Sequence, residues 1–431
     1  MINLILETDK PGRDAMLEKI KSRSIALDIE LTSRVAQIVA EVRARGDAAL
    51  IDYAAQFDRV ELRSGDLRVT EASLRESASR IDPFVRDSLR QSIANVREFH
   101  ERQIEKTWEF NPRPGVTLGQ RVTPIECAGF YVPGGTATYP SSLIMNVVPA
   151  QIAGVERIVV ATPPRTVIDN SALAATVLEL NVTEVYNVGG AQAIAAFAFG
   201  TETVPRVDKI TGPGNKYVAA TKKLVFGAVG IDSIAGPTEV VIIADDTARA
   251  DFMAADLLAQ AEHDEQASAV LITTSDRLAN AVQAEIDRQI RKLSRRSIIE
   301  AALAQFGAIL VVADLNEACA ITNDLAPEHL EIVTADDESV AAKIKHAGAI
   351  FFGAFTPEAV GDYFAGPNHV LPTNGTARFS SALGVSDFVK RTSVLRYSEN
   401  EMKGSAAMIA AIADAEGLDA HSQSATIRDQ K

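Results

Sequence analysis

The chain has 431 residues, 47% of them hydrophobic and 23% charged, so it is long enough for two or three globular domains. Its 43 Lys and Arg against 57 Asp and Glu give a net charge of −14, which disfavours nucleic acid and anionic membrane surfaces as partners. The N-terminal residues become charged too early for a signal peptide, and no apolar run approaches the ~20 residues of a membrane span. Cys127 and Cys319 lie far apart and outside any C-x-x-C pattern, so we expect a cytoplasmic protein without disulfides or a thiolate zinc site.

The first hundred residues show the apolar periodicity of helices, over residues 31–57 and again over 70–105. Asp82 and Pro83 predict an N-cap followed by a first-turn proline. One buried stripe is predicted on the helix that follows, formed by Phe84, Leu89, Ile93, Val96 and Phe99. We assign residues 1–115 to helical segments that pack on the rest of the chain.

Beyond Pro124 short apolar strands alternate with Ala- and Leu-rich helical runs, which indicates parallel sheets covered by helices. The predicted strands are 157–161, 184–188 and 208–210, then, after Gly236, 239–244, 269–273, 308–312, 330–333 and 349–352. The pattern predicts an α/β fold of two tandem doubly wound, Rossmann-like units, over residues 116–236 and 237–385. A helical tail, 386–431, completes the chain.

Several histidines stand in unusual polar surroundings. Gln260 and His263 are three residues apart on a predicted helix and so would share one face, where a metal ion could bind both. A solvated helix end, with the imidazole near the C-terminal dipole, explains the same spacing. His100 and His346 lie in helical patterns, and we assign them to surface or partly packed positions without a role.

Glu328 and His329 stand together at the start of a predicted strand. They offer two general bases with ordinary pKa values of roughly 4.3 and 6.5. Catalytic groups of open α/β sheets usually follow the carboxyl ends of strands, so a surface turn is the alternative interpretation of this pair.

Two further pairs carry ligand-type side chains. Asp362 and His369 belong to a loop, 360–369, that is interrupted by Gly and Pro, although an Asp in such a loop is often a turn former. Glu416 and His421 lie in the tail, where simple helix capping and solvation are the alternative explanation.

The dinucleotide signal is poor because the chain lacks G-x-G-x-x-G. The nearest runs are Y-V-P-G-G at 131–135 and T-G-P-G-N at 211–215, the second leading into a predicted helix at 216–226. Backbone amides at that helix start could hold a phosphate, but a tight turn that needs glycine is an equal explanation.

Taken together and in order, these segments resemble the histidinol dehydrogenase family from about residue 30 to His421. The segments that carry the resemblance are 129–135 followed by Y-P-S-S at 139–142, then 212–215, 236–239, 257–264, 327–330, 361–372 and 416–421. The match of so many ordered segments outweighs the alternatives left open for each motif alone.

The resemblance implies a role for each candidate residue. One zinc ion per subunit would be bound by Gln260, His263, Asp362 and His421. Glu328 and His329 would be the catalytic acid–base pair, and Tyr131, Gln192 and Asn215 would contact NAD. The substrate would be bound by Thr238, His369 and Glu416 together with the zinc ligands and the acid–base pair. Thr238 stands where many relatives carry Ser, and it keeps both the donor and the acceptor capacity of the hydroxyl.

The implied reaction is the oxidation of L-histidinol through L-histidinal to L-histidine by two NAD, the last step of histidine biosynthesis. The resemblance also implies a homodimer whose tail completes the neighbouring site, although the sequence does not show which subunit donates His421. The rivals are a relative that oxidises another polyol or a sulfonated diol, a zinc hydrolase with Glu328 as base, and a nucleotide-binding regulator. The intact set of Asp362, His369, Glu416 and His421 argues against the first, and the complete polar set argues against the last.

Overall fold

The N-terminal region is mostly helical, as its periodicity predicts. The computed structural model describes residues 2–23, 29–134 and 139–429. Its first elements are β1 (Asn3–Ile5), α1 (Lys10–Lys21), α2 (Ile29–Arg45), α3 (Asp47–Tyr53), α4 (Glu71–Ala78) and α5 (Pro83–Glu101), followed by the hairpin strands β2 (Trp108–Arg113) and β3 (Val116–Pro124). The predicted cap is confirmed, because the Asp82 carboxylate accepts the N–H groups of Phe84 and Val85 at the start of α5.

The predicted buried stripe on α5 is only partly correct. Val96 is buried, but Phe84 is 80% exposed in the first turn and Phe99 is 38% exposed. His100, assigned above to a surface or partly packed position, is fully buried instead. Its Nδ1 lies 2.7 Å from the Val96 carbonyl oxygen, and its Nε2 lies 3.4 Å from the amide of Asn368. A distant loop therefore covers this side of the helix, which its own periodicity does not reveal.

The first parallel sheet has five strands in the order β6-β5-β4-β7-β8. Its elements are β4 (Cys127–Tyr131), α6 (Pro140–Ala153), β5 (Arg157–Thr162), α7 (Thr166–Asp169), α8 (Ser171–Glu179), β6 (Glu184–Asn187), α9 (Gly190–Phe199), β7 (Lys209–Thr211), α10 (Lys216–Val225) and β8 (Gly230–Ile231). The chain first adds β5 and β6 on one side of β4 and then β7 and β8 on the other. The strand order therefore reverses between β4 and β7, and the topological switch point lies at the carboxyl ends of these two strands.

The central strand β4 is buried on both faces. Cys127 and Tyr131 pack in the core formed with α2, α3, α9 and α10, whereas Ala128 and Phe130 pack in the core formed with α5, α6 and α8. Because both faces are covered, the strand shows no alternation of polar and apolar residues. This explains why the sequence analysis did not include it.

The second parallel sheet has six strands in the order β1-β11-β10-β9-β12-β13. From β9 the chain adds β10 and β11 on one side and then β12 and β13 on the other, so the strand order again reverses at β9. Its further elements are β9 (Glu239–Ala244), α11 (Ala250–Ala261), β10 (Ser268–Thr273), α12 (Asp276–Gln289), α13 (Arg296–Phe306), β11 (Gly307–Val311), α14 (Leu315–Leu325), β12 (His329–Val333), α15 (Asp337–Ala341), β13 (Ala349–Phe352) and α16 (Glu358–Tyr363). The predicted α/β fold with two doubly wound parallel sheets is confirmed.

The structure adds a strand at each end of the chain to the helices that were predicted there. β1 pairs with β11, and β14 (Val389–Tyr397) pairs antiparallel with β3 in a small sheet of order β14-β3-β2. The helices α17 (Glu399–Ala415) and α18 (Asp419–Thr426) follow. Across the described ranges, no helix combines the length and the apolar character needed to cross a bilayer.

A buried ion pair ties the end of the first helix region to the second sheet. The Arg23 side chain is 1% exposed, and its Nη2 lies 2.7 Å from Oε2 of Glu239 at the start of β9. Arg23 also donates to the Gln266 carbonyl at 2.7 Å, and the other oxygen of Glu239 accepts the Asn374 N–H. Burial raises the pKa of Glu239 to about 7; the charge of Arg23 opposes this shift, and that of Glu328 adds to it.

Arg23→Met should destabilise the fold in a pH-dependent way. A carboxyl group whose folded-state pKa is raised favours folding below its unfolded pKa, and this contribution is lost as the pH rises through the folded value. Without Arg23 the folded pKa of Glu239 rises further, so the loss of stability relative to the wild type should grow above pH ~7 toward about 3–5 kcal/mol. The test is the unfolding temperature of both proteins between pH 6 and 9, with Arg34→Met, which removes an exposed pair, as a nearly neutral control. A difference that stays constant with pH would contradict this account.

Candidate active site

The polar residues singled out in the sequence gather at the amino edge of the second sheet. Thr238 immediately precedes β9, and His329 is the first residue of β12, paired in register with Val240. Parallel neighbouring strands share the same edge, so Glu328 and His329 lie beside Thr238. The site is therefore at the edge opposite to the one where ligands of open α/β sheets usually bind.

Glu328 is held in a fixed position by its neighbours. Its Oε2 lies 2.5 Å from the Thr238 hydroxyl and accepts the backbone N–H of Glu239 at 3.1 Å. Burial raises the pKa of the Glu328 carboxyl, while the neighbouring His329 imidazole and these two contacts oppose the rise. A buried carboxyl group with a raised pKa is suited to proton transfer.

His329 is oriented so that one ring nitrogen remains unused. The residue is 3% exposed, and its Nδ1 lies 3.1 Å from the Glu239 carbonyl oxygen, which can only accept, so Nδ1 carries a proton. Nε2 is buried without a hydrogen bond to any described residue and lies 3.8 Å from Oδ1 of Asp362. Burial lowers the pKa of His329, but the carboxylates of Glu358 and Glu328 outweigh it and bring the pKa well above its ordinary value.

Metal-type donors surround this imidazole. One ligand atom each of His263, Glu358 and Asp362 lies within 4.8 Å of the others. Gln260 is fully buried, and its amide nitrogen donates to the Thr238 hydroxyl at 2.6 Å. Its amide oxygen then faces the Glu358 carboxylate, an approach of two acceptors that a cation between them would stabilise. The group offers nitrogen and oxygen donors without sulfur, a chemistry that fits zinc.

The expected helix face shared by Gln260 and His263 is wrong in detail. Helix α11 ends at Ala261, so His263 lies two residues past its end. The His263 backbone N–H still donates to the Gln260 carbonyl, and this turn keeps the imidazole close to Asp362.

Glu358 is a site residue that the sequence analysis missed. The segment 360–369, predicted as a loop, begins inside helix α16, which carries Glu358 and Asp362 one turn apart on the same face. The signal was present, since a proline followed by an acidic residue is typical of a helix start. Burial raises the pKa of Glu358 to about 8; His329 opposes the rise, and the charges of Asp362 and Glu328 increase it.

His369 links the two sheet units. Its Nδ1 lies 3.0 Å from the Asp362 carbonyl oxygen, and its Nε2 lies 3.4 Å from the hydroxyl of Ser142 in the first turn of α6. The neighbouring Asn368 donates to the Met145 carbonyl of the same helix at 2.6 Å. Because α6 follows β4, the site lies between the amino edge of the second sheet and the carboxyl edge of the first.

The tail residues stand apart from this cluster. Glu416 directly follows the last residue of α17, His421 lies in α18, and both are exposed. Within the described ranges neither side chain has a hydrogen bond or ion pair with a site residue. A single chain thus brings together seven of the predicted substrate residues, namely Thr238, Gln260, His263, Glu328, His329, Asp362 and His369, and leaves two outside.

The three residues expected to contact a dinucleotide all lie at the carboxyl edge of the first sheet. Tyr131 ends β4, and its hydroxyl accepts the N–H of Gly190 at the start of α9 at 3.0 Å. Gln192 is buried in the first turn of α9, and the exposed Asn215 caps α10 by accepting the N–H groups of its first turn. Two helix N-termini therefore lie at this edge, an arrangement that suits a phosphate group.

The loop before Asn215 requires glycine at one position. Gly212 has φ +112°, and a Cβ placed there would lie 2.2 Å from the Tyr131 carbonyl oxygen. The end of β7 can thus approach β4 closely only without a side chain. The two explanations given above for this motif, a tight turn that needs glycine and a helix start that could hold a phosphate, are therefore compatible. The same turn needs glycine and leads into the capped helix α10.

Comparisons with known proteins agree with this architecture. The model of the family described as histidinol dehydrogenase matches residues 21–429. Similar relatives include histidinol dehydrogenases of Geobacillus kaustophilus, 54% identical over 92% of this chain and 93% of the relative, and of Bacillus subtilis, 50% identical over 93% and 94%. The solved structure of histidinol dehydrogenase from Elizabethkingia anophelis superposes with a TM-score of 0.92 at 33% identity and covers 99% of this chain and 98% of that one. The chain belongs to the histidinol dehydrogenase family.

Proposed function

We propose that the chain oxidises L-histidinol through L-histidinal to L-histidine, the reaction EC 1.1.1.23, with NAD as hydride acceptor. The observation that carries the proposal is the buried His329, whose free Nε2 faces Asp362 while Glu328 is fixed beside the same ring. An imidazole with a defined tautomer and an unused nitrogen is what a proton acceptor from an alcohol requires. The family membership supplies the substrate that such a base would act on.

The residues of the site fit a bound zinc ion. Three carboxylates lie close together, those of the buried Glu328 and Glu358 and of the partly buried Asp362, and a cation would relieve their mutual repulsion. We assign zinc to Gln260, His263 and Asp362, with His421 contributed by the tail. A zinc ion held there would act as a Lewis acid toward the imidazole and amino nitrogens of histidinol.

The residues at the carboxyl edge of the first sheet fit a bound dinucleotide. Tyr131 has its pKa raised to about 12 by burial and stays a neutral phenol, so it adds no charge to a phosphate site. The polar side chains of Gln192 and Asn215 lie at the two helix starts. NAD bound there would accept a hydride in each of the two oxidations.

The chain's own residues then divide the proton transfers. His329 Nε2 would take the hydroxyl proton of the alcohol, and the carboxylates of Glu358 and Glu328 strengthen it as a base by raising its pKa. Glu328 would next remove a proton from the water that attacks the aldehyde. His369 and Thr238 would line the substrate pocket, since His369 is held by the Asp362 carbonyl and Thr238 lies against Glu328.

We further propose a homodimer in which Glu416 and His421 of the partner subunit complete each site. Both residues are exposed and separate from the cluster in their own chain. The tail also exposes large apolar side chains that a second copy would cover, namely Leu395, Met408, Ile412 and Ile427.

His329→Asn and Glu328→Gln should affect different half-reactions. The first variant should lose ~10²–10⁴-fold in the oxidation of histidinol, whereas the second should chiefly lose the oxidation of supplied histidinal, where water must be activated. Stopped-flow formation of NADH from each substrate measures both. His346, which is half-buried and has no contact with the site, offers His346→Asn as a control that should match the wild type. Equal losses of both variants in both half-reactions would refute the division of roles.

Mixing two inactive variants tests the shared site. His421→Ala and His329→Ala protomers should recover activity on exchange, because one site of the mixed dimer would carry both lesions and the other site none. His421→Ala alone should also bind less zinc, measured by elemental analysis, while keeping its affinity for NAD. If heterodimers formed without any recovered activity, the tail would act within its own chain or not at all.

A further inference from the structure

An acidic residue outside the assigned sites has an unused oxygen. Asp58 ends a π-helical turn, Ala54–Asp58, that extends α3. Its Oδ2 is buried and has no hydrogen-bond partner among the described residues. Buried polar groups are rarely left unpaired, and π-helical turns are frequent at functional sites. The position of Asp58 in the fold indicates what its partner could be.

Helix α3 places Asp58 next to the start of α9. At the other end of α3, Asp47 accepts from the Thr201 hydroxyl at 2.6 Å and from the Thr203 N–H at 3.2 Å, just past the last turn of α9. The two helices pack together, and each is roughly 15 Å long when the π turn is counted with α3. Asp58 therefore lies level with the N-terminus of α9, where the hydroxyl of Tyr131 accepts the N–H of Gly190.

The electrostatics agree with this placement. The negative charge of Asp58 contributes to the raised pKa of Tyr131, after the larger effect of burial, which agrees with a position of Asp58 on this side of the first sheet. Burial raises the pKa of Asp58 itself. A buried acceptor without a protein donor costs free energy, and a ligand that supplies the donor removes this cost.

Asp58 lies on the side of the proposed dinucleotide site that is away from the acid–base residues Glu328 and His329. Helices α3 and α9 cover one face of the first sheet, and α6 covers the other. The first turn of α6 holds Ser142 against His369, so the reacting nicotinamide end belongs beside α6. The adenosine end of the same molecule is left to the face of α9 and Asp58.

We propose that Asp58 accepts a hydrogen bond from the 2′-hydroxyl of the adenosine ribose and thereby selects NAD over NADP. The proposal rests on the NAD-binding function proposed above and extends it to a residue and a specificity. A carboxylate is an acceptor for a ribose hydroxyl, but it repels the phosphate that NADP carries at the same position. The next residue, Arg59, is exposed and would attract that phosphate only if its side chain turned toward the site.

The experiment is a calorimetric binding comparison of NAD, 2′-deoxy-NAD and NADP with the full-length wild type, Asp58→Asn and Asp58→Ala. The wild type should bind NAD about tenfold more tightly than 2′-deoxy-NAD, because a hydrogen bond to a charged group is lost. Asp58→Ala should bind these two ligands equally. Asp58→Asn should bind NADP more tightly than the wild type does, since repulsion of the phosphate is gone. Asp52→Asn, which changes an exposed carboxylate of α3, should behave as the wild type.

Three results separate the possible failures. A wild type that bound NAD and 2′-deoxy-NAD equally, or bound NADP as well as NAD, would overturn the role of Asp58 and leave the proposed function standing. The same conclusion would follow if Asp58→Ala lowered the affinities for NAD and for 2′-deoxy-NAD by the same factor. A wild type that bound none of the three would refute the dinucleotide site and this inference together. Removing a carboxylate whose buried oxygen is unpaired should not lower the unfolding temperature, so a folding defect is not expected to obscure the result.

Discussion

The structure depends on how three buried carboxylates and a partly buried one are held at one edge of the second sheet. Glu239 has Arg23, Glu328 has a hydroxyl and an N–H, Glu358 lies 3.9 Å from the His329 ring, and Asp362 lies between two imidazoles. Buried charges are costly without such partners. This constraint explains why the N-terminal region reaches the amino end of β9, and why the donors around His263 suit a cation. The same carboxylates raise the pKa of His329 and make it a stronger base.

The position of this cluster explains why the chain needs two sheet units and a tail. The carboxyl edge of the first sheet presents helix starts that suit the proposed dinucleotide, and the amino edge of the second presents the proposed acid–base groups. The loop through Asn368 and His369 fixes the distance between them by hydrogen bonds to α6. Neither unit alone holds both parts. The exposed Glu416 and His421 lie at the end of an arm made of β14, α17 and α18, consistent with a role in a neighbouring site.

Much of this fold could be predicted from local patterns, and what could not depended on distant contacts. The strands at 239–244 and 349–352 were predicted to the residue, because continuous apolar runs between turn residues define them. β1 has only three residues, and its partner β11 lies some three hundred positions away, so no local signal marks it. The chemistry of Glu328 and His329 followed from residue types and family resemblance. Glu358 was missed because the helix that aims it into the site was taken for a loop.

The central claim is that one site oxidises the same carbon twice, with His329 and Glu328 acting in turn. It is tested most directly by the amount of NADH formed for each histidinol consumed, measured by absorbance with the protein, zinc, NAD and a limiting amount of histidinol. The account predicts two NADH per histidinol and little free aldehyde in solution. One NADH per histidinol, with histidinal accumulating, would contradict it.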